Sequence, residues 1–548
     1  MHRWVVLNLI PDSWLPVLRR SGRADVIRPA QIAEQFDDDP VIAIDWPRAD
    51  FRFAALEFLI GLLATTFPPA EHDDWLDGWD RPPAPKVLDA AFAPFAHAFV
   101  LDGDGPRFLQ DQEDLVSESE PMERLLIESP GGSTIRNNTD LLVRRGRFTT
   151  LGRPAAAMAL YTFQSWAPAG GAGNRTGLRG GGPLTTLVAP GGARTLWHLL
   201  WANVPLGEKP LPADLPWIFP WLAPTITSEN ARVVVPAENA HPLQCWWGMP
   251  RRIRLDFSPS DLPCSCGLTG TLDTVHVTGW RQRPRGVNYA GWGKIHPLTP
   301  HYTLKPGAEW LPVHPQPGGI GYRHWLGLVT ESFEGMRVPA KSIADWQSHG
   351  RRARDIGQEA RFLAAGYDMD NMKARAFVES EMPLPVAADA DTRQHLDDLA
   401  KALVRAADQV AGLLRSAVRN ALFAAGATVK IDAELLSAQR ERLWEQTEQP
   451  FFAALRRIAD CADPAAERAA WLAVLRGTAL ALFDEAAPLS PDASDGSATL
   501  RIVRARRQLV FALAGFGKEG NALFQMLGQP KPDTKAAKAT RTSKGRSV

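Results

Sequence analysis

Residues 168–182 read PAGGAGNRTGLRGGG, with seven glycines and two arginines in fifteen positions. Glycine lets a backbone come close to a ligand and tolerates positive φ. Arginine adds charge and a planar fork of donors. The combination points to a phosphate or a nucleic-acid groove. A nucleotide-binding loop needs G-x-x-x-x-G-K-[ST], or G-x-G-x-x-G between a strand and a helix. Here no Gly-Lys-Ser/Thr follows, and Gly180–Gly182 run into Pro183. A plain connecting loop has the same composition. Two further stretches set arginines among turn formers. Residues 132–147 read GSTIRNNTDLLVRRGR, with Arg136, Arg144, Arg145 and Arg147 beside Asn137 and Asn138. Residues 278–289 read TGWRQRPRGVNY, with Arg281, Arg283 and Arg285. Such stretches neutralise phosphates, or solvate a surface loop. A third, Arg501–Arg507, falls on an expected helix and reads as a solubilising face.

Catalytic signatures are missing. There is no H-E-x-x-H and no G-x-S-x-G. His72-Asp73 is an HD pair inside EHDDWLDGWD, which reads as a solvated acidic face. His296 and His301 have no Cys or carboxylate at ligand spacing around them. Cys264-Ser-Cys266 is half of a zinc knuckle, but Cys245 and Cys461 are isolated and supply no second pair. No metal, no cofactor and no catalytic residue is therefore expected.

These residues sit in a chain of 548, long enough for a large domain and a smaller one. Formal net charge is zero, so any contact with nucleic acid must come from local patches. Nineteen tryptophans imply a core of large flat rings. Four cysteines make no disulfide framework, and a reducing, cytoplasmic setting is expected. The opening MHRWVVLNLIPDSW predicts a strand over Trp4–Ile10 and lacks the parts of a signal peptide. Asp50–Phe67 predicts a buried helix with Asp50 as N-cap; its apolar run contains Glu57 and is too short and interrupted to span a membrane. Ala155–Phe163 is an apolar helix leading into the glycine loop. Val41–Ile44, Ala231–Val235, Arg252–Phe257 and Thr274–Trp280 predict strands, and Pro121–Ile127 a short helix. Without regular βαβ alternation, a doubly wound sheet is not expected.

After Met382-Pro383-Leu384-Pro385 the texture changes. Leu396, Leu399, Leu403, Ala406, Val410 and Leu413 recur at helical spacing. Further helical segments are Ala433–Ala459, expected to break or bend at Pro450, then Ala465–Glu485 and Ala498–Phe516. The reading is α+β: a large irregular mixed α/β domain over 1–385, an all-α four-helix bundle over 386–528 and a disordered basic tail over 529–548.

Several segments, in order, resemble the CasA family, large subunits of the type I-E CRISPR Cascade complex. The phrase Asn174-Arg-Thr-Gly-Leu-Arg-Gly-Gly-Gly-Pro-Leu-Thr-Thr-Leu-Val188 follows an apolar helix and a glycine loop as it does there. Leu7-Asn-Leu-Ile-Pro-Asp-Ser-Trp-Leu-Pro16, Pro121-Met-Glu-Arg-Leu-Leu126, Cys264-Ser-Cys266, Thr278-Gly279 and Gly366-Tyr-Asp-Met-Asp-Asn371 fall in the family's order, to about residue 520.

The resemblance implies a non-catalytic subunit that reads the protospacer-adjacent motif (PAM) on duplex DNA, helps open the duplex and recruits a nuclease-helicase. Its implied partners are the other Cascade subunits, the 5′ handle of the guide RNA and target DNA. By position, the glycine loop entering the minor groove is Pro168–Arg175, with Gly170, Gly171, Ala172, Gly173 and Arg175. Only small residues let a backbone near base edges there. A family lysine that reaches the same groove aligns with Pro284 or Arg283, so Arg283 or Arg285 takes its place. The wedge that splits the first base pairs aligns with Asp370 and Asn371, with Met369 or Met372 as apolar contributors. Arg136, Asn137, Arg144 and Arg145 fall in a loop that docks on guide RNA and neighbouring subunits. Some relatives carry two Cys pairs able to hold zinc; the first pair aligns with Gly152 and Ala155. Two other readings stay open: a nucleotide-dependent enzyme with the glycine loop as phosphate cradle, and a purely architectural subunit.

Overall fold

The computed structural model describes residues 4–140, 143–171, 173–191, 195–230, 232–332, 335–348, 360–387, 389–424, 433–489 and 496–532. They form two compact units. The first comprises Met1–Ile320, Met336–His349 and Ile356–Leu384; the second Gly321–Gly335, Gly350–Asp355 and Pro385–Val548.

The first unit is mixed α/β built from several small sheets. Strands β1 (Leu15–Arg19), β2 (Ala24–Ile27) and β3 (Val41–Ile44) form an antiparallel sheet in the order β2-β1-β3. Trp4–Ile10 is not the expected strand; only Asn8 makes an isolated bridge, to Val100. Side chains replace the ladder there. The Leu7 amide donates to Asp102 and the Asn8 amide to Asp12, both at 2.7 Å.

Helix α1 (Ala49–Thr66) is apolar on all sides, and its burial follows from that. Its N-cap is Arg48, not Asp50; Asp50 lies one turn position inside, where its carboxylate is buried. Glu57, two turns on, is also buried. It pairs with the Arg179 guanidinium and accepts from the Thr185 hydroxyl at 3.0 Å, while Arg179 also reaches Thr185 and Thr299 at 3.1 Å each. His296 lies 3.8 Å from Glu57, but burial holds its pKa well below the usual value, so it is neutral and adds no second ion pair. Against α1 packs α2 (Arg153–Trp166), which feeds the glycine loop.

Two hairpins complete the unit. Strand β4 (Thr185–Ala189) is the edge of a sheet with β7 (Arg361–Asp370) and β8 (Lys373–Pro383), in the order β8-β7-β4. The longer hairpin pairs β5 (Arg252–Ser265) with β6 (Leu272–Arg283), and short strands at Glu120–Pro121 and Leu151–Gly152 also pair with β6. The expected strand over Ala231–Val235 shrinks to Val235–Pro236 among the described residues.

The second unit is helical: α3 (Ala390–Leu422), α4 (Ala433–Ala459), α5 (Pro464–Ala486), α6 (Gly496–Leu513) and a short α7 (Gly517–Met526). Helix α3 packs against each of α4, α5 and α6. Helix α4 runs on through Pro450 rather than breaking. The side chains around the proline hold it: Phe451, Phe452 and Leu455 are fully buried, and Tyr322 stacks on Phe451 at 4.5 Å. Tyr322 also bonds Thr447 at 2.6 Å, and Trp325 lies against Phe452. Gly321–Gly335 thus belongs with the helices, although a sequence boundary at 385 leaves it in the first unit. Most of the expected tail, residues 533–548, lies outside the described residues. No described helix is long and apolar enough to cross a membrane.

Removing one member of a buried ion pair strands the other charge, at about 3–5 kcal/mol. Arg179→Met should therefore lower the denaturant midpoint of the first unit strongly, and Glu57→Leu in the same chain should recover part of the loss. Tryptophan fluorescence during denaturation reads both, since most of the tryptophans lie in that unit.

Candidate nucleic-acid interface

The glycine loop leaves the C-terminus of α2 and turns tightly. The Asn174 amide donates to Gly171 O at 2.8 Å, and Gly170 N to Asn174 O at 3.3 Å. Gly171 has φ +66° with nothing within 4 Å of a Cβ placed there, so it forms an open tip. Gly173 has φ +83°, and a Cβ there would meet Arg285 Cγ at 2.9 Å. Ala172 lies outside the described residues.

The basic finger meets this loop through main chain. The Arg285 amide donates to Gly173 O at 2.8 Å, and Arg285 O accepts from Ser228 N at 2.9 Å. Arg285 has φ +66°, a conformation that costs a side-chain-bearing residue energy and persists only where its surroundings impose it. Its side chain is exposed and reaches Glu229 O at 3.3 Å. Arg283 is half exposed, 3.8 Å from Glu113. Arg175 is folded back, with Nε donating to Ser228 Oγ at 3.1 Å.

Asp370 and Asn371 lie at the tip of the β7–β8 hairpin, where Asp370 pairs with Lys373. GYDMDN is thus the end of a long hairpin, not an isolated turn. Asn371 has φ +54°, which asparagine tolerates better than most residues. Asp370, Asn371, Met372 and Lys373 are all exposed.

The 132–147 stretch starts with a short helix, Gly132–Arg136. Arg145 turns inward on its own loop. It holds Asp140 through two bonds, at 2.5 and 2.6 Å, and reaches Asn138 and Ile135 O at 3.1 Å each. These bonds use Nε and Nη2 and brace the loop, while the side chain stays exposed. Arg136, Asn137 and Arg144 are exposed.

The root of that loop and the hairpin are tied together below. Arg48 makes paired bonds to Asp50 and to Glu128, and the Tyr367 hydroxyl donates to Asp50 at 2.7 Å. Burial alone would lower the pKa of Arg48, but its bonds to Glu128 and Asp50 win and raise it. For Glu128, burial pushes upward and the Arg48 bond outweighs it, leaving the carboxyl below its usual range. This network floors a groove of about 890 Å³ between the loop and the hairpin.

Sequence reasoning passed over Arg251. Its Nη2 donates to Pro168 O, its Nε to Arg175 O at 3.1 Å, and its guanidinium lies 4.5 Å from the centre of the Phe163 ring. One buried side chain thus closes the glycine loop at both ends. It has no carboxylate partner among the described residues, and burial lowers its pKa to about 10. Beside it opens a second cleft, of about 410 Å³. Pro168, Gly170 and Asn174 line it from the loop, Ser129–Thr134 from the docking loop and Met372 and Lys373 from the hairpin tip, with Arg251 and Gln282. Three of the four expected site elements therefore converge. The only local signals for Arg251 and Lys373 were their positions, just before a strand and just after the Asp-Asn-Met turn.

A model of the CRISPR-associated protein Cse1 family matches residues 8–482. The chain belongs to the Cse1 family. Among solved structures, Cse1 from Thermobifida fusca matches with a TM-score of 0.67 at 18% identity, covering 95% of this chain and 98% of that one. Cse1 from Acidimicrobium ferrooxidans gives 0.66 at 18%, over 93% and 99%. A chain of a CRISPR RNA-guided surveillance complex gives 0.64 at 16%, over 92% and 99%. At these identities the likeness establishes the fold. A Cβ on Gly152, one of the positions aligned with a family cysteine, would meet Cys266 Cβ at 3.4 Å. Among the described residues no group of three or more His, Cys, Asp or Glu could hold a metal ion.

Two outcomes follow from this geometry. Gly173→Ala should strain the loop by about 1–2 kcal/mol and speed hydrogen exchange at the Arg285 amide, whereas Gly171→Ala should leave that amide protected. Glu128 has a depressed folded pKa, so its stabilisation is present above the unfolded value, about 4.3, and lost as pH falls through the folded one. Acid denaturation below about pH 4.5 should begin earlier in wild type than in Glu128→Gln relative to each protein's neutral stability. The effect is screened by the solvent that reaches the Glu128 side chain.

Proposed function

We propose that this chain is the large subunit of a type I-E CRISPR RNA-guided surveillance complex. It reads the protospacer-adjacent motif in target duplex DNA with the loop around Gly170, Gly171 and Gly173 and the finger of Arg283 and Arg285. The tip at Asp370 and Asn371 then seeds strand separation. It acts by binding and leaves the chemistry to a recruited nuclease-helicase. Arg136, Asn137 and Arg144 face the guide RNA handle or neighbouring subunits.

The observation that carries this reading is the main-chain bond from the Arg285 amide to Gly173 O, which makes loop and finger one element. A small, open glycine tip suits the narrow minor groove, and adjacent arginine suits its negative potential. The exposed Asn371 and Met372 at a hairpin end suit insertion beneath an opening base pair. A phosphate cradle is disfavoured, because such cradles use a helix N-terminus and this loop leaves a helix C-terminus, the negative end of its dipole.

In gel-shift assays with the guide-loaded complex, Gly171→Asp should weaken binding to motif-bearing duplex by placing bulk and negative charge in the groove. Arg283→Ala and Arg285→Ala should each flatten the salt dependence by about one phosphate contact. Motif-independent binding by the wild-type complex, or unchanged affinity for Gly171→Asp, would refute the assignment.

A further inference from the structure

We propose that the cleft between the glycine loop, the 129–134 turn and the hairpin tip is a binding site for one unpaired nucleobase. The inference rests on the reading that this chain meets a DNA duplex being opened. It adds a receptor for what the opening releases.

Size is the first argument. About 410 Å³ lies within the range of small-ligand pockets and holds one nucleoside rather than a stretch of helix. Wall chemistry is the second. Extruded bases are held by flat apolar side chains and read by hydrogen bonds to their pairing edge. Here the Phe163 and Trp280 rings meet edge to face at 5.6 Å, and both line the cleft with Met372.

Polar groups supply the third argument. Gln282 lines the cleft, and its Oε1 is buried with no hydrogen-bond partner among the described residues. Gln282 sits opposite Ile253 in the β5–β6 ladder, so Arg251, two residues before Ile253, belongs to the same face. Arg251 spends Nε and Nη2 on the loop carbonyls and makes no bond through Nη1 among the described residues. The site therefore offers an orphan acceptor near a spare cationic donor. A base edge carries the complement, an N–H beside a ring nitrogen or carbonyl. The Gln282 amide ends on a soft torsion and can turn to either group. A phosphate would use only one end of the Gln282 amide and none of the apolar wall, whereas a base uses both.

Access is the fourth argument. The rim is made of the two elements assigned to duplex reading and opening, Gly170 and Asn174 on one side and Met372 and Lys373 on the other. A base pushed out by the hairpin tip appears next to the cleft, with the Lys373 ammonium near its phosphate.

The test removes the base instead of the protein group. Abasic sites are placed singly at the first three positions beside the motif, on each target strand and at the guide's 5′ end. Affinity is measured in the assembled complex with wild-type chain, Gln282→Leu and Gln282→Glu. The expected result is one position where the abasic substitution weakens wild-type binding about tenfold. Gln282→Leu should abolish that difference, and Gln282→Glu, which keeps an acceptor, should retain it. The strand on which the position falls identifies the source of the base. Abasic effects that are equal in wild type and Gln282→Leu would overturn the proposal, as would salt-dependent binding with no abasic position, the mark of a phosphate-only site. If motif-dependent binding persists in either case, the nucleobase site fails while the motif-reading role stands. If motif dependence is absent throughout, both fall.

Discussion

Two carboxylates buried in one apolar helix hold the first unit together. Asp50 and Glu57 lie seven residues apart on α1, about two helical turns, and so share a face. A buried carboxylate is costly unless a cation and hydrogen bonds surround it, and each of these has such a set. Asp50 gathers Arg48 and Tyr367, and through Arg48 also Glu128. Glu57 gathers Arg179 and Thr185. The first set fixes the root of the 132–147 stretch and the β7–β8 hairpin. The second fixes the stalk of the glycine loop to β4. Loops that look independent in sequence are thus fastened to one rod, and the surrounding aromatic core holds the rod still.

Much of this was legible beforehand, and the gaps have physical reasons. The apolar helices and the change of texture near residue 385 follow from periodicity and composition, and the position of the glycine tip from the family resemblance. Trp4–Ile10 was misread because alternation says nothing about Asp12 and Asp102, which satisfy the backbone in place of a neighbouring strand. A break or a bend was expected at Pro450; the helix does not break, and sequence alone does not reveal that Tyr322 and Trp325 pack on Phe451 and Phe452. The pairing of Arg145 with Asp140 was not foreseen, because it is a contact made by the folded loop. Arg251 and Gln282 are picked out only weakly by position; their placement comes from which strands the fold brings beside the loop.

The glycines divide by role in a way that spacing does not show. Gly171 faces open space, and Gly173 is required by the nearness of Arg285. Both have left-handed backbones that disfavour a side chain, but only at Gly173 would the side chain also crowd a neighbour.

The joint between loop and finger is made of a backbone amide and a backbone carbonyl. Side chains at positions 283 and 285 can change without breaking it, provided residue 285 tolerates its left-handed backbone. Under the proposed function, this separates heredity of shape from heredity of preference. A lineage facing invaders that escape by altering a few bases can retune which duplexes it accepts by exchanging exposed side chains, while the frame that presents them is inherited intact.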